Sequence, residues 1–578
     1  MKLNEMFAIQ KVLKGNDFAD IIIRNGKMIN VFTNEIEEGK IVAIKGRMIF
    51  YVGRDLPEIV GENTSVIDAK GGYVAPGFID THTHLDSMIP FNEFVPYAMQ
   101  GGVTTVVTEC AMVANACGIK GVLSFVNSTK GYPLKTFFLA PPLVPPIKRF
   151  ETAHPFSFEE FKKLLNRHDF VGIGEAYWNE AIRNEGGYFR KVVLAKMAKK
   201  SVEGHAAGAK AKNLTAYLNC GITSCHESIT VEEALEKLRQ GVYVMIREGF
   251  IRRELDELYK LKDCGIDMRR LILVSDVFSA PMLLEGYMNL VVKRAVSFGF
   301  NIVDAVKMVT INPADYFGFS DRGAVAIGRI ADINIFDDSL NIKTVIADGK
   351  LVVKNGRYLL PIKKLDAGSV KNSLTLKKVQ KEELFVKADA DKNVIVMEIF
   401  SPTIMKQGIG YLKAENGKLL PNLEEDIIPV FLLDRRSGTK SMGTGFIKGT
   451  GINNGSIATS LVWDTSNILA LGSDEGDIAM AVNRLIDIGG GMVVVKSNKL
   501  IFEFPMPIYG LIPLLNMKEI AKKETELEKA LSLIGCKMQR PFLNLQTIAF
   551  TGLPFLRLTN KGVVDIKRMK KVSLFSNQ

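Results

Sequence analysis

Apolar and polar residues change rhythm several times along this chain. From residue 18 to 75 the apolar runs are short: IIIRNGKMINVF, KIVAIKGRMIFYVG and SVIDAKGGYVAPG, each cut by Gly. Such runs with Gly punctuation predict strands and tight turns. The same rhythm returns at 322–360, in GAVAIGRIADINIFD and KTVIADGKLVVKNG. Two separated β-rich segments of like character predict one small β-sandwich domain built from both flanks of a central insert.

Within the insert, short apolar runs alternate with amphipathic stretches. The candidate strands are FIDTH, VTTVVTE, KTFFLAP, FVGIGEA, KSVEGH, GITSCH, VYVMIRE and LILVSD. Between them FEEFKKLLNRH, VEEALEKLRQG and RRELDELYKLKDCG have helical spacing. Thr230 and Glu233 form a capping-box pattern ahead of the second of these helices. Eight strand–helix units in roughly 240 residues is the size of a (β/α)8 TIM-like barrel, an α/β fold. A doubly wound open sheet is the competing architecture, but no Gly-rich phosphate loop follows the first strand. Beyond 365, strands (NVIVMEIF, IIPVFLLD, SIATSLVWD, GMVVVKSNKLIFEFP) mix with helices (DIAMAVNRLIDIGGG, ELEKALSLIGC). The expected organisation is a β domain from 1–75 and 321–365, a barrel over 76–320, and a C-terminal α+β domain over 366–578.

Composition narrows the class. A hydrophobic content of 47% and 50 Gly suit an α/β enzyme. No run reaches the roughly 18 apolar residues of a spanning helix. The start, MKLNEMFAIQKVLKGNDFAD, lacks the apolar core of a signal peptide. A cytoplasmic protein with no membrane partner is expected. Six Cys in so long a chain make no disulfide scaffold, and buried free thiols are expected. Cys220, Cys225 and His226 have no second Cys pair at structural-zinc spacing. The net charge is +11, but lysines are interleaved with acids, as in KKVQKEELFVKADADK. No basic run carries interleaved aromatics, so no nucleic-acid partner is expected.

Histidine is scarce and unevenly placed. Of six, four stand in His82-Thr-His84, Gly204-His205 and Cys225-His226, each closing a short apolar run. In a parallel barrel the C-terminal strand ends face one pocket. The first strand delivers His82 and His84, whose i, i+2 spacing puts both on one side. The fourth delivers Glu175, the fifth His205, the sixth His226 and the eighth Asp276. Nitrogen and carboxylate donors suit Zn²⁺, Mn²⁺ or Fe²⁺. Glu175 could bridge two such ions. His154 and His168 lie in polar contexts and are expected at the surface. A metal draws the pKa of water toward neutrality. Asp276 could take that proton and pass it to the leaving group, while His226 polarises the electrophile. The expected reaction is hydrolytic attack on a C–N bond at an sp² carbon.

Longer motifs sharpen this. PGFIDTHTHLDS, VGIGEA, GHAAG…AYLNCGITSCHE, IREG, the SD of LILVSD and INPADYFGFSDRGAVAIGRIADINIF follow in order. GSIATSLVWDTSN, DIAMAVNRLIDIGGGMVVV, FPMPIYGL and PFLNLQTIAFTGLP follow in the third region. This series resembles the adenine deaminase family of the amidohydrolase superfamily over nearly the whole chain. The resemblance implies conversion of adenine and water to hypoxanthine and ammonia. It implies a metal centre, expected to be binuclear with Mn²⁺ or Fe²⁺ (Zn²⁺ as alternative), held by His82, His84, Glu175, His205, His226 and Asp276. Glu227 and Glu248 match the family's His-Glu and Arg-Glu-Gly patterns and are candidate substrate contacts. Arg247 is expected to be an ion-pair partner. A small-molecule substrate, a purine base or related heterocycle, and a homo-oligomeric state are expected.

The chain also departs from the family pattern. Asp86-Ser87-Met88 replaces Glu-Ser-Ser, and Glu109-Cys110-Ala111-Met112 replaces Asp-Pro-His-Glu. Asp276-Val277-Phe278 replaces Asp-Asp-Arg, and Trp463-Asp464-Thr465-Ser466-Asn467 replaces His-Asp-Ser-His-Asn. The expected consequence is a more apolar substrate edge. Two alternatives stand beside adenine deamination. One is hydrolysis of another aminated heterocycle or cyclic amide; the other is a non-catalytic, metal-containing binding paralogue.

Overall fold

A computed structural model of the chain describes residues 1–365, 371, 373–437 and 441–576. The boundary expected at 365/366 adjoins residues outside that set.

The insert folds as a closed parallel barrel. Strands β1 (Phe78–Thr83), β2 (Val103–Thr108), β3 (Lys135–Ala140), β4 (Phe170–Ile173) and β5 (Ser201–Val202) pair in parallel, in chain order. Strands β6 (Ser224–Cys225), β7 (Tyr243–Arg247) and β8 (Leu271–Val274) form a second parallel run. Two seams join the runs. Thr223 donates its backbone N–H to Val202 O at 2.9 Å. At the other seam Asp276 N–H donates to His82 O at 2.9 Å, and His84 N–H to Asp276 O at 3.1 Å. Every residue of β1, β2 and β8 is buried. Strands covered on both faces show no polar–apolar alternation: β8 is the unbroken apolar run LILV, and β2 mixes Val with buried Thr.

Between strands, helix Phe158–Leu165 starts in a full capping box of Ser157 and Glu160. Helix Val231–Arg239 starts at Thr230, whose hydroxyl accepts the Glu233 N–H at 3.3 Å. The helix expected over 252–265 is not continuous. Four α-helical residues, Leu255–Leu258, tighten into a 3₁₀ turn over Tyr259–Asp263. Tyr259 stacks on Phe298 with ring centroids 4.9 Å apart, so packing overrides helix propensity here.

The two β-rich flanks meet in one sheet. Strand Ile333–Phe336, beyond the barrel, pairs antiparallel with Tyr73–Pro76, before it, in the register Ile333↔Pro76. This seven-stranded sheet packs on a four-stranded one made of Met48–Gly53, Ile41–Lys45, Ile21–Arg24 and Ser65–Asp68. Ile23, Val42, Val74, Ile333 and Ile346 share their common core. An N-terminal helix, Leu3–Leu13, was not expected. Only Ile9 and Val12 bury, too few to show as an apolar face in sequence.

The C-terminal region is built on an eight-stranded sheet. Its strands are β9 (Lys392–Ser401), β10 (Ile404–Leu412), β11 (Ile427–Leu433), β12 (Met442–Lys448), β13 (Ser456–Thr459), β14 (Ile468–Gly472), β15 (Gly491–Lys496) and β16 (Lys499–Pro505). They lie in the order β10-β9-β12-β11-β14-β13-β15-β16. Helix Glu475–Asp487 packs on β13, β14 and β15. The segment joining β13 to β14 reaches the barrel mouth. There Asn467 Nδ2 donates to Thr152 O at 3.0 Å and Ser466 Oγ to Met112 O at 3.3 Å.

Some smaller expectations change. Cys110, Cys220 and Cys225 are buried, but Cys117 and Cys536 are half-buried and Cys264 is exposed. His168 is exposed, whereas His154 is half-buried rather than a surface residue. Its backbone N–H donates to Asn115 O at 3.1 Å, which draws the loop onto the barrel. Among the described residues no helix is long and apolar enough to cross a membrane.

Candidate metal centre and active site

The strand ends of the barrel bring six sequence-predicted donors into one cluster. His82 is fully buried at the end of β1, and its ring stacks on His226 at a centroid distance of 4.0 Å. His84 turns edge-on to His82, with centroids 5.4 Å apart. Asp276 Oδ1 lies 3.3 Å from His84 Nε2 and 3.7 Å from His82 Nε2. Glu175 sits between the two sides. Its Oε2 is 2.7 Å from His205 Nδ1 and 3.2 Å from His226 Nε2, and its Oε1 is 3.8 Å from His84 Nε2.

Three overlapping donor sets each have their ligand atoms within 4.8 Å of one another: His82–His84–Asp276, His82–Glu175–His226 and His205–His226–Glu227. The donors fit a cation, and unpaired atoms say so. Both ring nitrogens of His82 and Nε2 of His205 are buried without a hydrogen-bond partner among the described residues. Each such atom costs about 1–3 kcal/mol unless something binds it. Burial, reinforced by the charge of His226, pushes His82 well below the usual imidazole value, toward the neutral form a metal takes. Neither Cys220 nor Cys225 belongs to any of these sets.

Local structure holds Asp276 and His205 in place. Asp276 has φ +59°, in the left-handed region that non-glycine residues seldom occupy. The two backbone bonds at the β8–β1 seam hold it there. Burial alone would raise its carboxyl, but the His84 hydrogen bond and the Arg247 charge hold it well below the usual range. The His205 backbone N–H donates to Tyr217 Oη at 2.9 Å, and that hydroxyl donates to Ala176 O at 2.5 Å.

Arg247 is the ion-pair partner its position suggested. It reaches Glu227 Oε1 at 2.6 Å, Glu254 Oε1 at 2.6 Å and Asp276 Oδ2 at 3.4 Å. Glu227 lines the cleft. Glu248 does not. Successive side chains of a strand point to opposite sides. With Arg247 turned into the cleft, Glu248 turns out of it. Its carboxylate accepts the Leu255 N–H at 2.8 Å and pairs with Arg294 at 2.8 Å in a separate cavity. The substrate role expected for Glu248 is corrected accordingly.

Glu109, which departs from the family pattern, lies buried beneath the cluster. Its carboxylate accepts the Glu175 N–H at 2.9 Å. Gly174 is what allows this, since a Cβ there would stand 2.2 Å from Glu109 Oε2. Burial and the nearby Glu175 charge push Glu109 up to about 8. The adjacent Gly-Ile-Gly-Glu run was the only sequence signal of a close approach.

The cleft above the cluster has apolar walls. Met112 and Val277 come from the barrel, and Trp463, Phe550 and Leu553 from the C-terminal domain. Trp463 and Phe550 meet edge to face at 5.3 Å, and Phe550 stands edge to face with His205 at 6.3 Å. The C-terminal domain thus forms one wall of the site.

Imidazole and carboxylate donors converging at the C-terminal mouth of a closed parallel barrel define a metal-dependent hydrolase. Comparison with known proteins narrows that class. Residues 73–352 match the amidohydrolase family, and residues 403–570 match the adenine deaminase C-terminal domain. An adenine deaminase of Moorella thermoacetica is 35% identical over 573 residues, covering 96% of each chain. One from Clostridium botulinum (strain Langeland) is 34% identical over 98% of this chain and 97% of its own. One from Kosmotoga olearia is 32% identical over 98% of both. The chain belongs to the adenine deaminase family.

Proposed function

We propose that this chain hydrolyses adenine to hypoxanthine and ammonia. The observation that carries the reading is the six-donor cluster with its unpaired buried imidazole nitrogens, inside a chain related end to end to adenine deaminases. His82, His84, Glu175, His205, His226 and Asp276 would hold the metal. Mn²⁺ or Fe²⁺, as a pair, is the proposed occupant, with Zn²⁺ as the alternative. When bound, such a cation makes water a competent nucleophile near neutral pH.

The chain's own groups do the rest. Asp276, whose Oδ1 faces the His82 and His84 rings, would accept the proton that water loses on attack. The same group can return it to the departing amine, which leaves as ammonia. Arg247 holds Asp276 and Glu227 in fixed positions, one guanidinium nitrogen, Nη1, reaching both carboxylates. His226 would serve as a metal donor or, where it does not, as the group that polarises the electrophile under attack. Trp463, Phe550 and Met112 exclude water from a planar heterocycle. We take 76–320 as the catalytic unit, 366–578 as the domain closing it, and a cytoplasmic homo-oligomer as the working form.

The apolar wall of Met112, Val277 and Trp463 favours one second reading, a less polar aminated heterocycle. An ammonia-release screen over purines, pyrimidines and cyclic amides with Mn²⁺-loaded protein separates the two. Adenine is expected to be the best substrate, and chelation is expected to abolish turnover. Turnover of another ring with adenine untouched would overturn the proposal.

A further inference from the structure

One carboxylate in the cleft belongs neither to the metal cluster nor to the proton path. Asp464, from the loop between β13 and β14, lines the same cavity as His84, Glu175 and Asp276. It is only 9% exposed, and its Oδ2 is buried without a hydrogen-bond partner among the described residues. It belongs to none of the three donor sets.

The fold takes trouble to hold it there. Asp464 has φ +63°, the left-handed conformation that aspartate adopts more readily than most side chains. The loop around it is fastened on every side. Thr465 N–H donates to Trp463 O at 3.0 Å, and Ser466 N–H to Val462 O at 3.1 Å. Arg435, fully buried, donates to Ser466 O at 2.9 Å. Asn467 and Ser466 tie the loop to the barrel at Thr152 and Met112. A tethered loop that presents a buried oxygen with no partner among the described residues is a prepared acceptor.

We infer that Asp464 is the specificity residue that recognises the substrate by accepting a hydrogen bond from the N–H of its imidazole ring. A carboxyl oxygen can accept such a bond in either protonation state. A free purine base carries that N–H, and a base substituted at N9 does not. A site built around the bond rejects the substituted compound because the oxygen stays buried and unpaired, a penalty that can reach 10⁴-fold in discrimination. Recognition of the free base would then come from the C-terminal domain, while the barrel performs the chemistry. This rests on the deaminase reading and adds to it the residue that selects the substrate.

The test compares adenine with 9-methyladenine, in wild type, Asp464→Asn and Asp464→Ala. Turnover is read by ammonia release, and affinity for both compounds by calorimetry. In the wild type adenine is expected to exceed 9-methyladenine by at least 100-fold in kcat/KM. Asp464→Ala is expected to lower kcat/KM for adenine about 100-fold, chiefly through KM, and to leave 9-methyladenine within about threefold. Asp464→Asn keeps an acceptor oxygen and the size of the side chain, and is expected to retain most of the discrimination. Equal losses on both compounds would mean a structural role and would overturn the inference, as would an unchanged ratio in the alanine variant. If no protein releases ammonia, the deaminase reading fails separately. The calorimetric ratio then still decides for or against Asp464.

Discussion

Asp276 shows how much one residue can be asked to do. It closes the barrel seam with its backbone, faces two imidazoles with one oxygen, and faces Arg247 with the other. Asp276→Asn keeps the size of the group and an oxygen donor but removes the proton acceptor. Metal content is expected to persist while kcat falls by roughly 10²–10⁴-fold. Undiminished ammonia release in that variant would remove Asp276 from proton transfer. Most of the cluster could be read from sequence because imidazoles are few and each stood at the end of an apolar run. Glu109 could not, since a glutamate after a strand is usually solvated, and only the close approach over Gly174 shows it buried. Glu248 was misread because a family motif says which residue is present, whereas strand alternation decides which way it points.

The strands of the barrel were legible for a physical reason: parallel strands buried on both faces leave short runs of apolar and β-branched residues without alternation, as in VTTVVT and LILV. The C-terminal sheet was less so. Its strand Met442–Lys448, MGTGFIK, carries two glycines and reads as a loop; it forms because Leu432 and Val430 pair with Gly443 and Gly445 across the ladder. The 3₁₀ turn at Tyr259–Asp263 and the helix at Leu3–Leu13 escaped for lack of a continuous apolar face. A contact between helices gives a separate prediction. Helix Met517–Leu533 presents Glu524, whose carboxylate accepts the Ala280 N–H at 3.1 Å at the start of helix Ala280–Glu285. Burial pushes Glu524 up to about 7, from an ordinary 4.5. The folded state therefore holds the proton more tightly than the unfolded chain. The associated stability is complete below about pH 4.5 and is lost as pH rises through 7. Glu524→Gln cannot ionise, so it is expected to be more stable than wild type at pH 8 and nearly equal at pH 5. The difference should be at most on the order of 3 kcal/mol. Parallel melting curves for the two proteins at the two pH values check it. A gap of the same size at both would show that Glu524 does not titrate in this range.

Taken together, three parts of the chain converge on one cleft. The flanking β segments pair with each other through Ile333–Phe336 and Tyr73–Pro76 and so clasp the two ends of the barrel. The barrel gathers the donors, and the C-terminal domain supplies Trp463, Asp464 and Phe550 as the opposite wall. The division of labour was only partly visible in sequence. Motif order suggested the C-terminal domain, but the ties from Asn467 and Ser466 to Thr152 and Met112 exist only in three dimensions. All of this depends on a cation sitting among His82, His84, Glu175, His205, His226 and Asp276. Elemental analysis of the purified protein beside His82→Ala tests that most directly. The account predicts at least one equivalent of a divalent transition metal per chain, and its loss in the variant. A fully folded wild-type protein with no stoichiometric metal after incubation with Mn²⁺, Fe²⁺ or Zn²⁺ would contradict it.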